Sequence, residues 1–331
     1  MMTEKSPYQV FAEKMMHKDS RFIPELLKAM VPEAEARLLV SLPGTAEEMA
    51  TKLGRPAPEI AAELKDMFRK GLVFKKTKGG TTTFRAAAHL AQFHDASILW
   101  PEAPASFHEL WRKYMEEEWP ALAKIIVKFM PKPMTRVVPV GKSLEGRMQV
   151  LSADNVDEII AKSQRFAVTR CTCRLTMHKC DRPVEVCLQV GKAADYTVER
   201  GSGREISREE ALKIAREAEA AGLIHVTMNK AEVGHFICNC CGCCCQSFTM
   251  LISDGLPLCD PSRYRPEVTA EKCNACGECE GRCWFKAIGV GDDNVAAVIA
   301  EKCMGCGQCA VVCPESAIAM IETREPGFIP A

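Results

Sequence analysis

The sequence predicts an α+β protein of several domains. A small helical unit closed by a hairpin comes first, a cysteine-rich central domain of α/β character follows, and a cysteine-repeat domain ends the chain. Three observations carry this reading. The 331 residues are enough for two or three domains at about 150 residues each. All 19 cysteines lie from Cys171 onward, so the first half is built differently from the second. Finally, the segment Glu271–Cys279 (EKCNACGEC) returns thirty positions later as Glu301–Cys309 (EKCMGCGQC), and such a repeat predicts two pseudo-symmetric metal sites.

Composition narrows the function. Lys and Arg number 43 and Asp and Glu 43, which argues against a generic polyanion binder or a polybasic membrane-surface protein. A chain 47% hydrophobic and 26% charged is ordinary globular material. No run approaches the ~20 apolar residues of a membrane span. The N-terminus has no apolar h-region, so a cytoplasmic protein is expected. In a reducing compartment, 19 cysteines read as metal ligands rather than disulfides. Six crowd between Cys238 and Cys245, too close in sequence to bridge one another easily.

The elements follow in order. Residues 1–95 form the first unit. Glu33–Leu42 reads as a helix. Thr45 and Glu48 form a capping box for a second helix that runs to Gly54. Pro56 and Pro58 open a third, whose Ile60, Leu64, Met67 and Phe68 share one face. Leu72–Lys76 and Thr81–Arg85 flank Gly79-Gly80 as a hairpin. Residues 96–150 are a helical connector carrying Trp111, Tyr114 and Trp119, with Ser106–Glu109 as a further capping box and Arg136–Val140 as a short strand. In residues 151–262, Asp154 caps a helix through Ile159 and Ile160. Phe166–Val168 runs into Cys171, Ser207 caps a helix to Ala221, and Leu223–Met228 is a strand. Residues 263–331 hold the repeat, with a turn at Gly291–Asn294 and a strand at Val295–Ile299.

The strongest motif is C-x2-C-x2-C-x3-C, present as Cys273, Cys276, Cys279 and Cys283 and again as Cys303, Cys306, Cys309 and Cys313, with Pro314 after the last. It resembles the bacterial two-cluster ferredoxins. That resemblance implies two [4Fe–4S] clusters with crossed ligation: Cys273, Cys276, Cys279 and Cys313 on one, Cys303, Cys306, Cys309 and Cys283 on the other. Gly277 and Gly307 suit loops whose amides approach the sulfides. Trp284 stands where the family has proline, which implies altered shielding of that cluster rather than lost ligation.

Eleven cysteines remain. Cys171, Cys173, Cys180 and Cys187 make the simplest third [4Fe–4S] site, with Arg170, Arg174 and Lys179 beside them to offset cluster charge. Four of Cys238, Cys240, Cys241, Cys243, Cys244 and Cys245 would make a fourth, and the spacing leaves open which four. Zinc, or a metal-free redox thiol group, is the alternative for these residues. Cys259 stands alone, and His178 and His235 read as ordinary histidines. From about Arg136 onward the chain resembles a family of cytoplasmic 4Fe–4S proteins of anaerobic bacteria and archaea. The likeness rests on Cys171–Arg174, Pro183–Cys187, Gly222-Leu223 and Cys238–Gly242, and it implies electron transfer without naming a substrate. The Cys240-Cys241-Gly242 triplet is similar to the cysteine-rich domain of heterodisulfide reductases, which uses paired copies where this chain has one.

The helix order followed by a hairpin makes the N-terminal unit resemble a winged helix-turn-helix. Lys75, Lys76 and Lys78 on the wing could touch phosphate. Glu59, Glu63 and Asp66 on the would-be recognition helix oppose duplex DNA, so docking of a redox protein partner is expected instead. Gly201–Gly203 reads as a plain turn, and no Gly-x-Gly-x-x-Gly motif points to a dinucleotide. The expected function is electron transfer, as a relay or as a subunit of an iron–sulfur oxidoreductase. The alternative is a redox-sensing winged-helix transcription regulator.

Overall fold

The computed structural model describes residues 5–145, 150–232 and 234–331. They divide into two compact units. The first holds the chain up to Leu122 with Leu175–Met177 and Tyr196–Gly203. The second holds Ala123–Arg174, His178–Asp195 and Arg204–Ala331.

In the first unit, local chemistry places most of the elements. Thr45 Oγ1 accepts from the Glu48 N–H and the Glu48 carboxylate accepts from the Thr45 N–H, so the box opens helix Ala46–Leu53, which Gly54 closes in the left-handed region (φ 63°). Helix Ala57–Arg69 carries Pro58 in its first turn and buries Ile60, Leu64, Met67 and Phe68. Strands β1 (Val73–Lys78) and β2 (Thr81–Ala86) pair antiparallel across Gly79 and Gly80, whose φ values of 57° and 80° are those a two-residue hairpin turn demands.

One expectation about the connector is corrected here. Helix Ala105–Glu117 starts from Pro104 with no side-chain cap, so Ser106 lies inside its first turn and caps nothing. Trp111 and Tyr114 are fully buried and Trp119 nearly so. Trp111 stacks edge-on against Tyr114 at 5.5 Å and donates its indole N–H to Ser97 Oγ at 3.2 Å. These aromatic residues build a core.

The second unit is organised by a six-stranded sheet of β3 (Thr135–Val138), β4 (Phe166–Arg170), β5 (Glu185–Val190), β6 (Arg204–Ile206), β7 (Ile224–Met228) and β8 (Phe236–Cys240). Its order is β3-β7-β8-β5-β4-β6, and every pairing is antiparallel. The α/β character expected for this region is therefore corrected to α+β. Helices and strands alternate along the chain in both classes, and only the connections decide strand direction. Here β7 turns back to β8 within a few residues, too short a link for a parallel crossover. Two small sheets complete the unit: β9 (Tyr264–Val268) with β12 (Ile318–Glu322), and β10 (Ile288–Val290) with β11 (Ala296–Val298).

Asp154 is a further correction. Asn155, not Asp154, caps helix Val156–Ala161, its side-chain oxygen accepting from the Asp157 and Glu158 N–H groups. Asp154 is instead completely buried between two equally buried arginines, accepting from Arg263 at 2.8 Å and facing Arg136 at 3.8 Å.

Candidate metal centres

The C-terminal repeat is symmetric down to its backbone. Ala275 and Gly305, Gly277 and Gly307, and Lys286 and Ser316 are three pairs thirty residues apart, and all six take positive φ. The Ala287 N–H donates to Cys283 Sγ and the Ala317 N–H to Cys313 Sγ, each at 3.3 Å. The Ala296 N–H donates to Cys273 Sγ and the Gly305 N–H to Cys303 Sγ, each at 3.4 Å. Amide groups aimed at sulfur are what an anionic iron–sulfur centre requires of its loop. Within the cysteine loops Glu271–Cys279 and Glu301–Cys309 the two copies differ at one glycine. A Cβ on Gly305 would lie 2.1 Å from the Tyr264 carbonyl oxygen and 2.4 Å from Ser262 Oγ, whereas Ala275 already carries one. Gly305→Ala is expected to destabilise the second unit by about 3 kcal/mol, from the left-handed penalty plus the backbone clash. Ala275→Gly is expected to move stability by less than about 1 kcal/mol. Anaerobic denaturant titration of both variants checks the asymmetry, and equal effects would refute it.

Grouping by space, Cys273, Cys276, Cys279 and Cys313 line one solvent-open cleft of ≈ 320 Å³. Cys283 lies instead among Cys303, Cys306 and Cys309, each of which feels its charge. Burial raises the Cys279, Cys303 and Cys309 thiols and pushes Cys306 up to about 12, so loading these sites with metal releases protons. Both quartets fit a [4Fe–4S] cluster: four thiols, inward amides, and a cleft at the first.

The central cysteines fall into two groups, and neither is the quartet the spacing suggested. Strand register explains the first. Cys238 and Cys240 alternate with Asn239 on β8 and so share a face. β8 pairs with β5, which carries Cys187, and Thr169 at the end of β4 sits opposite Cys187, bringing Cys171 and Cys173 alongside. Cys245 completes the set from the residue before helix Gln246–Asp254. The six thiols are neighbours around a ring and perturb one another in turn: Cys171 with Cys173 and Cys187, Cys187 with Cys238, Cys238 with Cys240, Cys240 with Cys245, and Cys245 with Cys173. Cys180 leaves the sequence-adjacent set and joins Cys241, Cys243 and Cys244, all four sulfurs lying within 4.8 Å of one another. The reason is topological: Cys180 sits on the loop beyond the αL residue His178, which turns the chain away from the ring. Cys259, buried and pushed up to about 12, belongs to neither group.

Arg174 ties the two groups together. It is 2% exposed, donates both terminal nitrogens to the Asn239 carbonyl at 3.1 Å, and sets its charge beside Cys171 and Cys241. One thiol in each group is held low. Hydrogen bonds from Cys173 and Cys187, reinforced by Arg174 against the effect of burial, lower Cys171. A hydrogen bond from Cys244, with Arg174 again assisting against burial, holds Cys241 at about 4. Hydrogen bonding to Cys171 raises Cys173 and Cys187, and burial pushes Cys243 up to about 12. In each group one thiol is thus favoured to ionise beside one shared cation, a charge arrangement suited to a metal.

Several supporting residues escaped the sequence reading. Asn239 donates to the Val186 carbonyl at 2.6 Å and meets His225, which meets Glu219 at 3.0 Å. Gln308 and Arg282, from the repeat, bond to the carbonyls of Glu219, Ala220 and Leu223. Trp284 donates its indole N–H to the Gly222 carbonyl at 2.8 Å and lies so close to Gly242 that a Cβ there would sit 2.9 Å from its ring. The only sequence signal for these contacts was the departure at Trp284 itself.

Among the described residues no helix is long and apolar enough to cross a membrane. Compared with known proteins, residues 296–319 match the 4Fe-4S binding domain family, Fer4. Neither the curated proteins nor the solved structures contain a significant match to the chain. The C-terminal part of this protein therefore carries a ferredoxin-type iron–sulfur domain that binds at least one 4Fe–4S cluster.

Proposed function

We propose that the protein is an iron–sulfur electron-transfer protein or redox-enzyme subunit. Two C-terminal [4Fe–4S] clusters pass electrons to a third iron–sulfur centre on the six-thiol ring, and from there to a redox partner or substrate. The observation that carries the proposal is one continuous apolar cluster. Cys283, Cys303 and Cys306 pack in it together with Cys240 and Cys245 of the ring, with Trp284, Phe285 and Phe248 among them. A second cluster joins Cys273, Cys279 and Cys313 to Cys283 and Cys309. Cys276 is exposed, whereas Cys171, Cys187, Cys240 and Cys245 of the ring are buried, which supports a path running from the surface inward.

The test is rapid-mix reduction of anaerobic protein followed by freeze-quench EPR. Reduction of the outer clusters is expected to precede that of the ring centre. Trp284→Leu should slow the inner step alone, while Trp284→Phe, which loses one hydrogen bond worth about 1 kcal/mol, should slow it less. Simultaneous, variant-independent reduction of all centres would sink the relay.

The competing reading, a cluster-gated winged-helix regulator, is disfavoured by the first unit's charges. Lys75 on the hairpin is paired with Glu199 and lies over the Phe68 ring at 4.7 Å. Arg200 is buried against Phe68 and Phe74 and donates to the Val73 carbonyl. On helix Ala57–Arg69, Glu63 pairs with Arg55 and Asp66 with Lys70. Lys75 of the wing is thus already engaged, and the acids on helix Ala57–Arg69 would oppose phosphate. A titration of the full chain with duplex fragments at ~150 mM salt is expected to show no specific binding; a footprint would reverse the order of the two readings.

A further inference from the structure

We infer that Cys180, Cys241, Cys243 and Cys244 hold one tetrahedral zinc ion rather than a [4Fe–4S] cluster. The inference goes beyond electron relay and does not depend on it.

Spacing is the first reason. A zinc–thiolate bond of about 2.3 Å places the four sulfurs of a tetrahedral site about 3.8 Å apart. The observed separations are 3.8 Å for Cys180–Cys241, 3.9 Å for Cys180–Cys244 and 3.8 Å for Cys243–Cys244, and no pair in the group exceeds 4.8 Å. A cubane puts its own irons and sulfides between the ligands and spreads its thiolates to roughly 6 Å. Among the described residues, no other group of three or more metal-ligating side chains is drawn together within 4.8 Å. The ferredoxin quartets, whose spacing is that of cluster ligands, stand wider in the same chain. The contrast is internal: one set of four thiols is drawn in to the dimensions of a single ion, and two others are held open.

The surroundings are the second reason. The Lys179 backbone amide lies beside Cys244, and the Cys244 amide and the Arg174 guanidinium lie beside Cys241, each favouring the ionised thiol there. Four thiolates on a divalent ion leave a net charge of about −2, and one buried arginine with two amides offsets it. All four positions are filled by protein, which is the closed set of a structural rather than a catalytic zinc. Three ligands come from the turn after β8 and one from the loop after helix Thr172–Met177, so the ion would clip together two segments 61 residues apart. That clip holds the Cys171–Cys173 segment against β8, and with it the six-thiol ring.

The experiment uses the full chain, purified anaerobically from cells supplied with both iron and zinc. Elemental analysis is expected to return one zinc per chain, and zinc K-edge absorption four sulfurs at about 2.3 Å. Cys243→His should keep the zinc and change its shell to three sulfurs and one nitrogen, a readout that a misfolded variant cannot give. Cys180→Ser should lose the zinc while leaving the EPR of the Cys273 and Cys303 clusters unchanged. Cys259→Ser should alter none of these. Zinc well below one per chain, or a Cys180→Ser protein that loses about four irons and four labile sulfides instead of zinc, would overturn the assignment. Failure of the relay would show in the electron-transfer order and not in the zinc content.

Discussion

Replacing Cys313 with alanine is expected to remove the iron–sulfur centre of Cys273, Cys276 and Cys279, and to leave the one nearest in sequence intact. Cys283→Ala is expected to do the reverse, stripping the centre of Cys303, Cys306 and Cys309. Each substitution should cost about four irons per chain. The reason is that each short helix, Glu278–Arg282 and Gln308–Val312, carries the chain away from its own loop before the fourth cysteine. Cys313 thus lines the cleft of the first three cysteines, and Cys283 faces the second three. Iron and acid-labile sulfide, with EPR of the reduced protein, separate the outcomes. Damage confined in each case to the adjacent loop would mean uncrossed ligation.

The largest purely structural effect is expected at Asp154. Asp154→Ala leaves Arg136 and Arg263, both 1% exposed, without their shared carboxylate. Breaking a buried pair from one side typically costs 3–5 kcal/mol, because the remaining charge is desolvated and unpaired. Arg263 retains Glu322 and the Arg324 carbonyl, so Arg136 suffers more. Burial already lowers its affinity for a proton, which the Asp154 carboxylate partly restores. The double variant Asp154→Leu with Arg136→Met should recover much of the loss, since a well-packed apolar replacement is often neutral. Anaerobic urea unfolding measures both; a loss under about 1 kcal/mol for the single variant would show the pair behaving as a surface one.

Legibility in the sequence followed the range of the interaction. Thr45 with Glu48, Ser207, and the Gly79-Gly80 turn act within a few residues, and each opens or closes its element as its chemistry dictates. Ser106 and Asp154 carried equally good local signals and were overridden. Pro104 had already started the first helix, and a buried pair of arginines had a stronger claim on the carboxylate than a helix end did. Strand direction in the central sheet was not legible, because alternation along the chain is the same whether neighbours run parallel or antiparallel.

The same division runs through the metal centres. By itself, the sequence determined that iron–sulfur chemistry belongs to the C-terminal repeat, since three cysteines on one tight loop need only local backbone to converge, and the repeat supplies that backbone twice. The central ten cysteines were decided by tertiary structure alone. Cys187 meets Cys171 and Cys238 because β5 lies between β4 and β8 in one register, and a one-residue slip of either pairing would turn those thiols to opposite faces. Cys180 lies seven residues from both Cys173 and Cys187 in the chain, yet it joins Cys241, Cys243 and Cys244. Spacing in sequence bounds the reach of a local loop, but across a sheet the partners are chosen by strand order, which no spacing encodes.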